Sequence, residues 1–190
     1  FADIAIWQYP AGPTGVSKVA MLSHRNIVHT LFQTSAWTGG SFDDIDRIIA
    51  ITALPLYHIF SLQSNCLLMM WLGGENVLIT NPRDIPAFVK ELGRHRFSYF
   101  TGVNTLFAAL LNASGFDKVD FSALRLTIGG GMAVQEAVAH RWQEITGSPV
   151  VQAYGLTETS PAATINPLRS TEFNGSIGLP IPSTEIRICD

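Results

Sequence analysis

The chain has 190 residues and a formal net charge of −3, with Lys and Arg scattered singly, which argues against a nucleic-acid-binding surface. Charged residues make up only 14% of it, well below the roughly 25% common in soluble domains, so some faces are expected to be covered by protein outside this segment. The longest apolar run, residues 66–72, falls far short of the roughly 20 residues that span a bilayer, and Cys66 and Cys189 lack metal-ligand spacing and read as reduced thiols.

The chain starts at Phe1, just ahead of the apolar run Ile4-Ala5-Ile6-Trp7, with neither an initiator methionine nor a signal peptide, and is expected to be a piece of a longer protein. Short apolar runs alternate with longer helical patterns, which predicts an α/β fold built on largely parallel sheets flanked by helices. Residues 4–9 and 19–22 read as strands. Ser23 is the expected N-cap of a helix that buries Ile27, Val28, Leu31 and Phe32. Gly39, Gly40, Asp43, Asp44 and Asp46 suggest a surface linker before a strand over 48–53, which stops at Pro55. Residues 59–72 are apolar almost all round and predict a buried helix. A strand over 77–80 follows, then a helix capped by Asp84, with Pro86 in its first turn, running to about His95. The pattern continues with a strand over 97–101, a helix over 104–112, a strand over 124–128, a helix over 134–146 and a strand over 150–153. Residues 161–183, rich in Pro and Gly, read as an ordered, irregular connection, and residues 185–189 as the start of another strand.

Chemistry concentrates in a few turns. In Gly12-Pro13-Thr14-Gly15-Val16-Ser17-Lys18, Gly12 and Gly15 let backbone N–H groups turn inward onto an anion, Thr14 and Ser17 add hydroxyls and Lys18 a point charge. This is not a Walker A loop, because Ser17 precedes the lysine and Val19 follows it. Alone, the loop fits a phosphate grip and an ordinary hairpin turn equally. Tyr154-Gly155-Leu156-Thr157-Glu158 lies at the carboxyl end of a strand, the edge where open α/β sheets bind ligands. Tyr154 offers a flat face, Thr157 a hydroxyl for a phosphate oxygen and Glu158 a carboxylate for Mg²⁺. Gly129-Gly130-Gly131 follows another strand and admits a ligand close to the backbone, though by itself it reads as a flexible turn. His58, in Leu54-Pro55-Leu56-Tyr57-His58, reads first as a packing residue. His24, His29, His95 and His140 take polar helical positions with no assigned role.

Taken together, these segments resemble the adenylate-forming (AMP-binding) superfamily, specifically bacterial long-chain fatty acid–CoA ligases. The likeness runs over essentially the whole chain and includes Met21 to Asn26, Leu78 to Pro86, Thr101 to Phe107 and Gly175 to Pro180. It implies that residues 1–190 are part of the large N-terminal domain of such an enzyme. It also implies a two-step ligase using ATP, Mg²⁺ and coenzyme A, in which a fatty carboxylate becomes an acyl-adenylate and then a thioester. By this resemblance Thr14, Gly15 and Lys18 grip the β- and γ-phosphates, with Gly12 and Ser17 in the same loop. Tyr154 stacks on adenine beside Gly155, Thr157 holds the α-phosphate, and Glu158 binds Mg²⁺. Gly129, Gly130 and Gly131 line the adenine and acyl pocket, and His58 stands near the reacting carboxylate. The family also implies a cytoplasmic enzyme with peripheral contact to the inner membrane, and it leaves an oligomer open.

The chain departs from the family at one place of consequence. The usual Gly-Thr-Thr-Gly reads Gly12-Pro13-Thr14-Gly15, so Pro13 removes one hydroxyl and one N–H donor, which is expected to weaken ATP binding by about tenfold or more. Residues implied for the rest of the reaction, including a ribose-binding aspartate and a catalytic lysine, fall beyond Asp190, so this segment alone is expected to be inactive. A non-catalytic nucleotide- or acyl-binding module of the same fold is the alternative. A Rossmann dehydrogenase is excluded, because no Gly-x-Gly-x-x-Gly opens a helix.

Overall fold

The computed structural model describes residues 2–9 and 18–189. Its frame is a seven-stranded sheet. β3 (Ile49–Thr52), β4 (Glu75–Leu78), β5 (Tyr99–Gly102), β6 (Leu126–Gly129) and β7 (Val150–Gly155) run parallel, and β8 (Ala162–Ile165) and β9 (Leu179–Pro180) add on antiparallel in the order β4-β3-β5-β6-β7-β8-β9. β3, β5 and β6 are buried along their whole length, as their near-continuous apolar sequences require of a sheet covered on both faces. α4 (Ile85–Leu92), α5 (Asn104–Leu111) and α6 (Glu136–Thr146) cover one face, where Phe88, Phe100, Phe107 and Trp142 form the centre of the larger core. α1 (His24–Thr38) and a helical rod cover the other, around Phe60, Leu68, Met69, Tyr99 and Ile128. β1 (Ile4–Gln8) and β2 (Ala20–Ser23) form a separate antiparallel hairpin. The loop of Gly12, Pro13, Thr14, Gly15 and Ser17 falls between them, outside the described residues.

Several expectations are corrected. Ser23 does cap α1, accepting from the Asn26 N–H at 3.2 Å, but the buried face is Ile27, Thr30, Thr34 and Thr38, and Phe32 stands exposed. Threonine can be buried there because Thr34 and Thr38 donate their hydroxyls to the carbonyls of Thr30 and Thr34, at 2.8 and 3.0 Å. The single helix over 59–72 is a rod of α2 (Ile59–Ser61), a π-helical stretch (Leu62–Leu67) and α3 (Leu68–Leu72), with Met70 and Trp71 exposed and Gln63 and Asn65 fully buried. The core partners Asn65, but it partners Gln63 only through its amide N–H, leaving the buried Oε1 without a partner among the described residues. Gln63 donates to the Ile27 carbonyl at 2.7 Å, and Asn65 accepts from the Thr101 hydroxyl at 2.9 Å.

α4 ends at Leu92, ahead of Gly93, so His95 lies beyond the helix, its Nε2 3.0 Å from Glu91. The connection over 161–183 contains β8 and β9, and β7 extends to Gly155 because β8 pairs with Tyr154 and Gly155. No strand forms over 185–189: no described residue pairs with this segment, and Ile188 is exposed.

Candidate active site

The parallel strands all deliver their carboxyl ends to one edge, and there a cavity of about 240 Å³ opens. Its mouth is formed by His58, Gly130, Gly131 and the stretch Tyr154 to Glu158. Below the mouth it runs down the sheet face that carries α1 and the rod, between Phe60, Ser64 and Leu68 on the helical side and Tyr99, Ile128 and Ile165 on the sheet. The entrance is polar and the interior apolar, as in sites that fix one end of an amphiphilic ligand by a few placed polar groups.

Each mouth residue is held by identifiable local structure. Gly155 must be glycine, since a Cβ there would overlap the Pro161 carbonyl, which accepts from the Leu156 N–H at 3.0 Å. Thr157–Thr159 form a 3-10 turn closed by Thr159, whose hydroxyl accepts from the Leu156 N–H at 2.8 Å and donates to the Pro161 carbonyl. This turn leaves Thr157 half-buried and Glu158 exposed at the rim, and among the described residues Glu158 makes no ion pair. Tyr154 presents 44% of its surface at the mouth. His58 caps α2, its Nδ1 accepting from the Phe60 N–H at 3.3 Å, which assigns the ring proton to Nε2. Gly130 packs against the Phe60 ring, which a Cβ would meet at 3.2 Å.

The cavity does not gather every residue singled out in the sequence. Gly129 lies behind its wall, where a Cβ would come within 2.8 Å of both Val134 and Val150, so its smallness serves packing. Lys18 is exposed two residues before β2 and does not line the cavity. β2 nevertheless packs against the Thr157–Thr159 turn, which sets the hairpin's second strand beside that turn. Glu158 also borders a second, polar cleft of about 370 Å³ that holds Arg25, His29 and Gln33 of α1.

Other supports are absent from the sequence reading. Thr159 closes the turn. Gln152 accepts from the Val134 N–H at 2.9 Å and donates to the Ser176 carbonyl at 3.1 Å, tying the glycine turn to the distant 176 segment. A glutamine inside an apolar strand was the available signal for it. Thr34, Thr38, Ser64 and Tyr99 line the cavity, and the four-residue spacing of Thr30, Thr34 and Thr38 marked their shared face.

The geometry fits a divalent cation brought in with a ligand. No group of three metal-ligating side chains occurs among the described residues, and Glu158 alone would leave most coordination positions to phosphate oxygens and water, the usual arrangement for Mg²⁺.

A largely parallel sheet with helices on both faces, a cavity at its carboxyl edge and a Tyr-Gly-x-Thr-Glu turn at the mouth make up an α/β domain with its ligand site at the edge open α/β sheets use. The chain belongs to the AMP-binding enzyme family, whose profile matches residues 2–190. It is 54% identical over 188 residues to a long-chain-fatty-acid–CoA ligase of Yersinia pestis and 53% identical over 188 residues to that of Escherichia coli O6:H1. Each alignment covers 99% of this chain and 33% of the relative, so the chain spans about a third of the length of the curated relatives it matches. Among solved structures, the O-succinylbenzoate coenzyme A synthetase of Bacillus subtilis, in complex with ATP and magnesium, superposes with a TM-score of 0.83 at 26% identity, covering 100% of this chain and 38% of that one.

Proposed function

We propose that this chain supplies the nucleotide- and acyl-binding core of an ATP-dependent long-chain fatty acid–CoA ligase. One observation carries the reading: a single cavity joins Tyr154, Thr157, Glu158 and His58 at its mouth to an apolar interior, so a nucleotide and an acyl chain can meet at one point. The identity to ligases of that name supports the substrate class and coenzyme A as acyl acceptor.

In this reading Tyr154 gives its exposed face to adenine, and the Thr157 hydroxyl holds an α-phosphate oxygen. Glu158 would hold Mg²⁺, which neutralises phosphate charge when bound. Gly12, Thr14, Gly15, Ser17 and Lys18 take the outer phosphates, and Gly130 and Gly131 let the ligand lie against the backbone. A fatty carboxylate oxygen attacks the α-phosphorus and the bond to pyrophosphate breaks. The coenzyme A thiolate then attacks the acyl carbon, and AMP leaves with the bonding electron pair. His58 Nε2–H faces the carboxylate as a donor. The residues act by positioning and charge stabilisation, which dominate nucleotidyl transfer. Residues 1–190 form part of the large domain in this scheme.

The test is fatty-acid-dependent ATP–pyrophosphate exchange by the full-length protein. Exchange should appear and should fall about 10²–10³-fold in Glu158→Ala. ATP binding without any acid-dependent exchange would instead mark a non-catalytic module.

A further inference from the structure

The hairpin of β1 and β2 stands apart from the large sheet, yet it touches both sides of the cavity mouth. Ala5, Ile6 and Ala20 pack into one cluster with Leu22, Ile27 and Ile59, which seats the hairpin on α1 and the start of the rod. β2 lies against the Thr157–Thr159 turn, on the side of the mouth given above to the nucleotide. At the last rung of the hairpin Gln8 pairs with Ala20, and its side-chain amide donates to the Tyr57 carbonyl at 2.7 Å. That carbonyl belongs to the same planar peptide unit as the His58 N–H, which donates to the Pro55 carbonyl at 3.0 Å. The peptide is therefore held at both ends. Beyond it, the Phe60 N–H fixes the His58 ring through Nδ1. Burial does little to hold this turn, because Pro55 is exposed and Tyr57 is 81% exposed.

We propose that Gln8 is a positioning residue for the acid half of the site. The proposal rests on the acyl-ligase reading above, in which His58 meets the reacting carboxylate. Rotation of the Tyr57–His58 peptide would swing the His58 Cα–Cβ bond and, with it, the imidazole at the mouth. The Gln8 amide resists that rotation from a separate element, whose other strand is seated against the nucleotide turn. The hairpin thus works as a crosspiece between His58 and Thr157, and it keeps the carboxylate and the α-phosphate at a set separation. Reaction geometry is sensitive to displacements of about 1 Å, so one bond that fixes this separation matters to the rate. Gln8 does not line the cavity and acts only through His58.

The experiment is palmitate-dependent ATP–pyrophosphate exchange by the full-length protein, for wild type, Gln8→Met, His58→Ala and the double variant. Gln8→Met keeps the length of the side chain and removes its donor. It should lower kcat/KM for palmitate about five- to tenfold, the worth of one hydrogen bond, and leave the KM for ATP within about twofold. In the His58→Ala background the same change should have almost no effect, because no imidazole remains to be placed. Gln8→Asn, one methylene too short for the Tyr57 carbonyl, should behave like Gln8→Met and answers the question if that variant fails to fold. Equal losses in both backgrounds would mean a general effect on the hairpin and would overturn the positioning role alone, as would wild-type kinetics in folded Gln8→Met. Exchange undiminished in His58→Ala overturns it too, since nothing is left to position. No acid-dependent exchange by the wild type overturns the ligase reading and the positioning role with it.

Discussion

Glycine 155 shows how narrowly the site is specified at the level of one residue. The Pro161 carbonyl occupies the space where a side chain would begin, and the same carbonyl is bonded to the Leu156 N–H and to the Thr159 hydroxyl. Any Cβ must push β7 away from the segment that leads into β8, carrying Thr157 and Glu158 out of place. Gly155→Ala should therefore destabilise the full-length protein by about 3 kcal/mol in denaturant unfolding and abolish exchange even where it remains folded. A variant with wild-type stability and activity would show that the turn adapts. The residues around it were unequally legible. Tyr154, Thr157 and Glu158 announce their chemistry by type and order, and all three line the mouth. Gln152 acts through hydrogen bonds to backbone groups of Val134 and Ser176, remote in sequence, whereas Thr159 closes the turn through its near neighbours Leu156 and Pro161.

At the scale of elements, the rod from Ile59 to Leu72 forms one wall of the cavity and is unusual in being π-helical at its centre. The buried Asn65 sits in that stretch. It takes the Thr101 hydroxyl at 2.9 Å, and its own carbonyl accepts from Asn76 at 3.2 Å. Asn76 in turn receives the Thr52 hydroxyl at 2.7 Å, so one polar chain ties the rod to β3, β4 and β5. Asn65→Leu leaves the Thr101 hydroxyl without this partner in the core, at a cost of roughly 1–3 kcal/mol. Chemical denaturation of the full-length variant checks this, and an unchanged midpoint would mean that the network contributes nothing net. The rod was read from sequence as uniformly apolar because Ser61, Gln63 and Asn65 are outnumbered by large aliphatic residues, and periodicity does not distinguish a π turn from an α turn. The strands were legible in number and order up to β7, because each is a compact apolar run. β8 and β9 were not, since they depend on antiparallel pairing, β8 with β7 and β9 with β8, and not on their own composition.

For the molecule as a whole, Tyr99 links the site to global stability. Burial raises its hydroxyl above the ordinary tyrosine value, outweighing the opposing effect of the Ser64 hydroxyl. An unfolded chain ionises this group near pH ~10. With the folded value higher than the unfolded one, its contribution is full below pH ~10 and is lost as pH rises from there toward the folded value. In an alkaline titration, the wild-type minus Tyr99→Phe absorbance difference should show tyrosinate only as the protein unfolds. A difference signal that develops while the fold is intact would mean the ring is accessible to base.

The order in which the cavity walls occur along the chain also matters for synthesis. α1 and the rod emerge early, but Pro161, Ala162 and Ile165 complete the enclosure from the far side, and β8 is the strand that carries two of them. A nascent chain halted after β7 has its sheet and most of its core yet lacks that last wall. Ligand therefore cannot assist the early stages of assembly, and any protection by ATP against proteolysis should begin only once translation has passed β8.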